Sequence, residues 1–259
     1  MKKGLRKTLR WTGYLVAAIC LLGVLDVVAL AYPVPAFQHQ AELGNLTFYS
    51  DRELDSEYQR IIEDVAHRLR NVEIYDSTLN LRVFICQDQS RYNLFARMAM
   101  VPTTVPGFNL SLLDNSFVSI PKLKYRQERS AHFPPYSTIK GDIAHSITHE
   151  LLHDYTVNKV GFFRNRNLPA WKTEGYNEYA SSLVYSRSDN VATLSSRITA
   201  IMNLYTDRRT REYYTWGLVV EYLAEKENYR FADIMSDSVT YDRAHSQMIN
   251  WYHDLTGNP

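Results

Sequence analysis

Residues 144–154 read Ala-His-Ser-Ile-Thr-His-Glu-Leu-Leu-His-Asp and contain the pattern His-Glu-x-x-His. On an α-helix, residues four apart lie one turn from each other on the same face, so His149 and His153 can direct both imidazoles at a single metal ion. Glu150 is next to the first histidine and can take a proton from a water whose pKa the metal lowers. We therefore predict a metal-binding helix from about residue 139 to residue 158.

A second segment, residues 168–180, supplies carboxylates for the same ion. It reads Leu-Pro-Ala-Trp-Lys-Thr-Glu-Gly-Tyr-Asn-Glu-Tyr-Ala. A catalytic zinc ion commonly takes three protein ligands and keeps one position open, so a donor from another element is required. We predict Glu174 as this donor. If a helix begins near Thr173, Glu174 and Glu178 share a face, and one can bind the single Zn²⁺ ion while the other supports a histidine ligand.

Two other polar residues of the metal-binding helix are not predicted as ligands. From His145 to His153 the helix rises about 12 Å, which is too far for both to form Zn–N bonds of about 2.0–2.1 Å to one ion. We expect His145 to pack or to line the rim of a cleft. Asp154 points about 100° away from His153, which indicates a cap or a surface position.

The N-terminal residues 1–32 combine a basic start with an apolar stretch, Trp11 to Tyr32, that only Asp26 interrupts. The stretch is long enough to cross a bilayer. One interpretation is a single membrane anchor with the rest of the chain outside the cytoplasm, which in a bacterium means periplasmic or extracellular. The other is a signal peptide cleaved after Ala31, which gives a secreted protein. Asp26 favours cleavage, because a carboxylate in hydrocarbon costs about 2.5–3.5 kcal/mol. The apolar residues after it and Pro33 favour the anchor, which we prefer.

The charge of the remaining chain gives no reason to expect a nucleic-acid partner. The 29 basic and 28 acidic residues become 24 and 27 when Asp26 and the basic residues of the first ten positions are set aside, which leaves a formal charge of −3. Those basic residues are Lys2, Lys3, Arg6, Lys7 and Arg10. The partners that we expect are a peptide or protein substrate and, through the N-terminal helix, the membrane.

After a stiff proline-containing linker at residues 33–41, the pattern predicts one α+β domain at residues 42–259. Its first lobe, to about residue 160, carries strand signals at Leu46–Tyr49 and Leu79–Cys86 and an amphipathic helix from Leu54 to Leu69. The alternating segment Ser116–Ile120 precedes Pro121, which predicts a strand that the proline ends at a sheet edge.

The second lobe, residues 161–259, is predicted to be helical. Its apolar residues repeat at helical spacing over about 173–186, 191–204, 212–226 and 242–255. The fold class expected is therefore α+β, with a mixed β-sheet in the N-terminal lobe, a helical C-terminal lobe and one transmembrane helix before them.

Together, His149-Glu150-x-x-His153 and Trp171-x-x-Glu174-Gly175-x-x-Glu178-Tyr179 resemble the gluzincins, the zinc peptidases that include thermolysin and the aminopeptidase N group. The second segment is particularly similar to that of bacterial peptidase MA-like domains. The resemblance implies a gluzincin-like catalytic domain in which Glu174 is the third ligand and Glu178 supports the histidines. Twenty residues separate His153 from Glu174, one or two more than in the best-known members.

The resemblance implies two further roles. Tyr214, three residues before Gly217, matches a tyrosine that steadies the tetrahedral intermediate, with Tyr213 as a competitor. The strand before the zinc helix runs along the cleft in the family, a role that falls to Ser116, Val118 and Ile120 as substrate-binding residues. The Gly-x-Met-Glu-Asn segment of the aminopeptidases is absent, which argues against that subgroup.

The function implied is that of a membrane-anchored or secreted zinc metallopeptidase with Glu150 as general base. One alternative is a binding or scaffold domain, tethered to the membrane, that keeps the zinc fold without catalysis. Another is a structural protein whose histidines belong to the core, which predicts no zinc after purification.

Overall fold

The computed structural model describes residues 2–130, 142–186, 193–204 and 208–257. The first residues of two predicted helices, 139–141 and 191–192, lie outside this range. The strands are β1 (His39–Leu43), β2 (Leu46–Ser50), β3 (Leu81–Cys86), β4 (Gly107–Leu110) and β5 (Asn115–Ser119). The helices are α1 (Lys2–Ala31), α2 (Ser56–Arg70), α3 (Gln89–Met98), α4 (Ile120–Ser130), α5 (Ile143–Val160), α6 (Phe162–Asn167), α7 (Ala170–Ser186), α8 (Leu194–Leu204), α9 (Arg208–Glu225), α10 (Phe231–Ile234) and α11 (Tyr241–Thr256).

One mixed sheet forms the N-terminal part of the domain, with strand order β1-β2-β3-β5-β4. The three inner strands β2, β3 and β5 run parallel, and β1 and β4 are antiparallel to their neighbours at the two edges. The sequence of β3, Leu-Arg-Val-Phe-Ile-Cys, is almost continuously apolar, as expected for a parallel strand that is covered on both faces. All described strands precede residue 120, and helices make up most of the rest. The α+β class with one mixed sheet is confirmed.

The predicted edge position of the strand before Pro121 is wrong. This strand, β5, lies between β3 and β4, and its residues Asn115–Ser119 are all buried. Pro121 is the second residue of α4. A proline there removes no helical hydrogen bond, because the first N–H groups of a helix have no partner within it. The edge of the sheet on this side is β4.

The sheet separates two hydrophobic cores. Phe48, Val83 and Val118 face the larger core, which also buries apolar residues of α2 and α5. Phe84 and Phe117 face the smaller one, where their rings stack at a centroid distance of 4.9 Å. Helix α5 therefore lies on one face of the sheet, while α3 lies on the other.

A buried arginine connects the helices that carry the predicted ligands. Arg68 of α2 is 0% exposed and donates from Nη1 to the carbonyl oxygen of Ser181 in α7, at 3.1 Å. Its Nη2 donates to Asp64, at 2.8 Å, and to Asp142, which caps α5. One guanidinium thus holds α2, α5 and α7 in fixed relation.

The N-terminal helix is long and apolar enough to cross a membrane or to serve as a signal sequence. Its apolar part is Trp11–Ala31, with a mean hydropathy of 2.5 and 6% of its residues buried. The predicted linker at residues 33–41 is wrong, because Phe37 is buried in the smaller core and β1 begins at His39. The folded part of the chain therefore begins directly after α1.

Candidate metal centre

Helix α5 presents the His-Glu-x-x-His residues to a cleft. Asp142 begins the helix, and its Oδ1 accepts a hydrogen bond from the backbone N–H of His145 at 3.1 Å. On the side that packs into the larger core, Ile147 and Leu151 are fully buried. His149 and His153 line the cleft on the other side, with ring centroids 5.3 Å apart.

The structure brings the three predicted ligands together. Glu174 of α7 reaches both histidines: its Oε2 is 3.3 Å from Nε2 of His149, and its Oε1 is 3.7 Å from Nε2 of His153. One donor atom from each residue lies within 4.8 Å of the others. Among the described residues this is the only group of three or more histidine, cysteine or carboxylate side chains close enough to hold one ion.

This spacing fits a zinc ion. With metal–ligand bonds of about 2.0–2.2 Å in tetrahedral geometry, neighbouring donor atoms are about 3.3 Å apart. Glu174 presents a different oxygen to each histidine, at 3.3 and 3.7 Å, and one donor atom from each of the three residues lies within 4.8 Å of the others, so all three side chains lie within reach of one ion. Two imidazoles and one carboxylate are also a donor set typical of catalytic zinc.

Exposure differs between the ligands. The side chain of His149 is 10% exposed, whereas those of His153 and Glu174 are 21% and 30% exposed. The candidate ion position is thus shielded from solvent on the side of His149 and open to the cleft on the side of His153 and Glu174. An open position is what distinguishes a catalytic zinc site from a structural one.

Glu178 lies behind the ligands, as predicted for a supporting carboxylate. Its Oε2 is 3.7 Å from Nδ1 of His149, the nitrogen that does not face Glu174, and its Oε1 is 3.4 Å from Nε2 of His145. His145 is buried and also lies within 3.5 Å of the hydroxyl groups of Ser181 and Ser182. The Glu178 carboxylate therefore lies between His149 and a buried polar group behind the site, where a residue that supports a metal ligand is expected.

Two glycines allow α7 and α9 to approach closely at this point. A Cβ on Gly175 would lie 2.7 Å from the carbonyl oxygen of Trp216, and one on Gly217 would lie 2.8 Å from Cγ of Glu178. The glycine after Glu174 is thus explained by helix packing. Gly217 in turn leaves room for the Glu178 side chain. A glycine inside a helix costs about 1 kcal/mol relative to alanine, so its presence could have indicated a close contact at this position.

The edge strand β4 forms one wall of the cleft. A Cβ on Gly107 would lie 2.6 Å from Oε1 of Glu150, so the strand runs directly past the predicted general base. The cleft has a volume of about 620 Å³. The residues around it are Val101, Val105, Pro106, Gly107, Phe108, Asn109, Ser111, His145, Ser146, His149, Glu150, His153, Glu174, Glu178, Tyr213 and Tyr214.

The predicted substrate-binding residues Ser116, Val118 and Ile120 do not line this cleft. They are 0%, 0% and 4% exposed, because β4 covers the edge of β5 that was expected to be free. Their predicted role is wrong, and the corresponding position in the cleft belongs to β4. Strand β4 was difficult to predict from the sequence, because it is only four residues long.

Asp154 is also placed differently from the prediction. It is 4% exposed, and its Oδ2 accepts a hydrogen bond from Nδ2 of Asn109 at 2.7 Å. Burial raises the pKa of Asp154 to about 7, although the hydrogen bond from Asn109 opposes the shift. The residue after His153 therefore ties α5 to the edge strand, and the expected cap or surface role is wrong.

Two tyrosines from α9 complete the cleft wall opposite β4. Tyr213 and Tyr214 both line it, and the hydroxyl of Tyr213 donates to Oε2 of Glu174 at 3.5 Å. Both predicted candidates are thus present, and the hydroxyl of Tyr213 lies beside the ligands.

The pKa values of the two histidines are shifted in opposite directions. Burial disfavours a proton on His149, but the hydrogen bond and charge of Glu174 outweigh it and raise the pKa of His149 to about 9. Burial lowers the pKa of His153 to about 4, because the charge of Glu174 only partly opposes it. Burial would raise the pKa of Glu174, but the two histidines lower it to about 2. The cluster is thus arranged around a positive charge, here the proton on His149.

No protein-family model matches the sequence, and no curated protein matches it. What the site can do follows from its own residues.

Proposed function

We propose that the protein is a zinc-dependent hydrolase of the gluzincin type that cleaves peptide bonds. The observation that carries the proposal is the His149–His153–Glu174 cluster, with one donor atom from each residue within 4.8 Å of the others and an open side towards the cleft. Glu150 lies in the same cleft, next to the first ligand. A purely structural role for the histidines would not require three donors to converge on one point.

A zinc ion held by His149, His153 and Glu174 would act as a Lewis acid that polarises a carbonyl group and lowers the pKa of water. Glu150 takes the proton of the attacking water and passes it to the leaving nitrogen. Tyr213 or Tyr214 donates a hydrogen bond to the oxyanion that forms. Glu178 keeps His149 oriented throughout.

The cleft suits an extended polypeptide. The outer edge of β4 has no strand partner among the described residues, so its backbone groups can pair with a substrate strand. Gly107 brings this edge to Glu150 without a side chain in between. The scissile bond of a paired peptide would therefore lie beside the general base.

We further propose that α1 remains attached and anchors the protein in a membrane, with the catalytic domain outside the cytoplasm. The support is at the end of the helix, where Leu30 is 8% exposed and packs in the smaller core. Cleavage after Ala31 would remove this residue from a folded domain. The basic residues before Trp11 favour the cytoplasm for the N-terminal side.

The test is cleavage of an unbiased peptide library by the full-length protein in detergent. We expect cleavage within the library, loss of cleavage after treatment with 1,10-phenanthroline, and recovery when zinc is added back. Intact peptides in the presence of a zinc-loaded protein would contradict the proposal and favour the catalytically silent binding domain.

A further inference from the structure

The end of α1 is fixed to the domain rather than loosely tethered to it. The carbonyl oxygen of Leu30 accepts a hydrogen bond from Nδ2 of Asn115 at 2.7 Å, and Asn115 is fully buried at the start of β5. The Leu30 side chain packs into the same core as Phe95 of α3. The position of α3 and of the turn before β5 relative to the membrane helix is therefore set by packing.

Three exposed apolar side chains lie on this part of the domain. Leu94 of α3 is 56% exposed, Met100 directly beyond α3 is 93% exposed, and Leu112 in the turn between β4 and β5 is 70% exposed. Leu112 is three residues from Asn115, and Met100 follows Met98 and Ala99, which pack against the core that holds Leu30. We call Leu94, Met100 and Leu112 the apolar rim.

Met100 is also strained. Its φ is 55°, a left-handed conformation that glycine usually occupies at the end of a helix. The N–H groups of Met100 and Val101 close the helix end by donating to the carbonyls of Arg97 and Ala96. The chain thus holds a methionine in a costly conformation and gives its side chain almost no contact within the domain. This placement is explained if the side chain is buried in something outside the chain.

The basic charge on α3 favours a lipid surface. Helix α3, Gln-Ser-Arg-Tyr-Asn-Leu-Phe-Ala-Arg-Met, contains two arginines and no acidic residue. Arg97 is exposed between Leu94 and Met100. Apolar side chains interleaved with arginine are typical of helices that lie in the headgroup region. The rim also lies on the part of the domain to which the end of α1 is fixed, and α1 is the helix that we propose to enter the membrane.

We propose that the apolar rim rests in the headgroup region of the membrane that α1 enters. The cleft then opens at the membrane surface, because its lining residue Val101 directly follows Met100 and its lining residue Ser111 directly precedes Leu112. If the proposed peptidase function holds, on which this consequence rests, the substrates are extended polypeptide segments that lie next to the membrane.

The experiment uses the full-length protein in vesicles of phosphatidylcholine and phosphatidylglycerol. In a Cys20→Ser background, Met100→Cys and Leu112→Cys are labelled separately with bimane. Cys86 does not interfere, because it is buried and burial raises the pKa of its thiol. The control is Phe163→Cys on α6, an apolar residue that is 80% exposed and absent from the core that holds Leu30.

We expect lipids with a headgroup nitroxide to quench the labels at positions 100 and 112 several-fold more than the label at 163, and iodide to show the reverse order. Equal quenching by iodide at all three positions would overturn the proposal, since the rim would then face water. Protection of positions 100 and 112 from both quenchers would also overturn it, in favour of a protein partner.

The quenching result is independent of catalysis and should be the same in a Glu150→Gln background. A failure of the peptidase proposal therefore leaves the membrane contact intact, and the two failures can be told apart. Where cleavage is found, a Met100→Ser/Leu112→Ser variant should cleave free peptide at the normal rate. It should lose rate on the same peptide anchored to the vesicle surface.

Discussion

Replacing Glu150 with glutamine should leave the zinc content unchanged and reduce turnover by about 10²–10⁴-fold, the range expected when a general base is removed. Glutamine has nearly the shape of glutamate but cannot take up the proton of the attacking water. The three proposed donors do not include Glu150, so metal binding should persist. The measurement is kcat on a peptide selected from the library, together with metal analysis of the same sample.

The matched control for this prediction is Glu63→Gln. Glu63 is an exposed residue of α2 and lies outside the residues that line the cleft. Its replacement should change neither kcat nor zinc content. Full turnover in the Glu150→Gln variant would exclude the proposed proton transfer. Loss of zinc in that variant would show that Glu150 has a structural role instead.

Replacing Arg68 with methionine should destabilise the domain strongly. Arg68 is fully buried, and its guanidinium bonds to Asp64, Asp142 and the carbonyl of Ser181. Removing one partner of a buried ion pair costs about 3–5 kcal/mol, and we expect the lower end because both carboxylates are about a quarter exposed. A loss of about 3 kcal/mol corresponds to a decrease in Tm of roughly 6–12 °C for a domain of this size.

The measurement is thermal unfolding followed by circular dichroism, with Arg70→Met as the control. Arg70 lies on the same helix but is exposed, and its replacement should change the free energy of unfolding by no more than about 0.5 kcal/mol. Equal Tm values for the two variants would show that Arg68 does not hold α5 and α7 together.

The proximity of His149 and His153 could be predicted because their geometry is local. Histidines four residues apart on a helix lie on the same face in any fold, and this spacing alone places His149 and His153 side by side. Glu174 required a second pattern, since nothing in the sequence states how α5 and α7 pack. Gly175 and Gly217 explain only the neighbouring contact, in which the backbone of α9 approaches α7.

The cleft wall could not be predicted, because strand order depends on contacts between distant segments. By local criteria, the segment before Pro121 fitted an edge strand as well as a buried inner strand. Only the pairing of β5 with β4 shows that it is an inner strand. The same holds for Asp154. Its predicted cap or surface role followed from the helix alone, and the strand residue Asn109 that meets its side chain was not foreseeable.

The central claim is that His149, His153 and Glu174 hold one zinc ion, and metal analysis of the purified full-length protein tests it most directly. Without added metal, the protein and a His67→Ala control, changed at an exposed histidine of α2, should each contain about one zinc ion per chain. A His149→Ala/His153→Ala variant should contain almost none. Absence of zinc from the unmodified protein, or equal zinc in the double variant, would contradict the account.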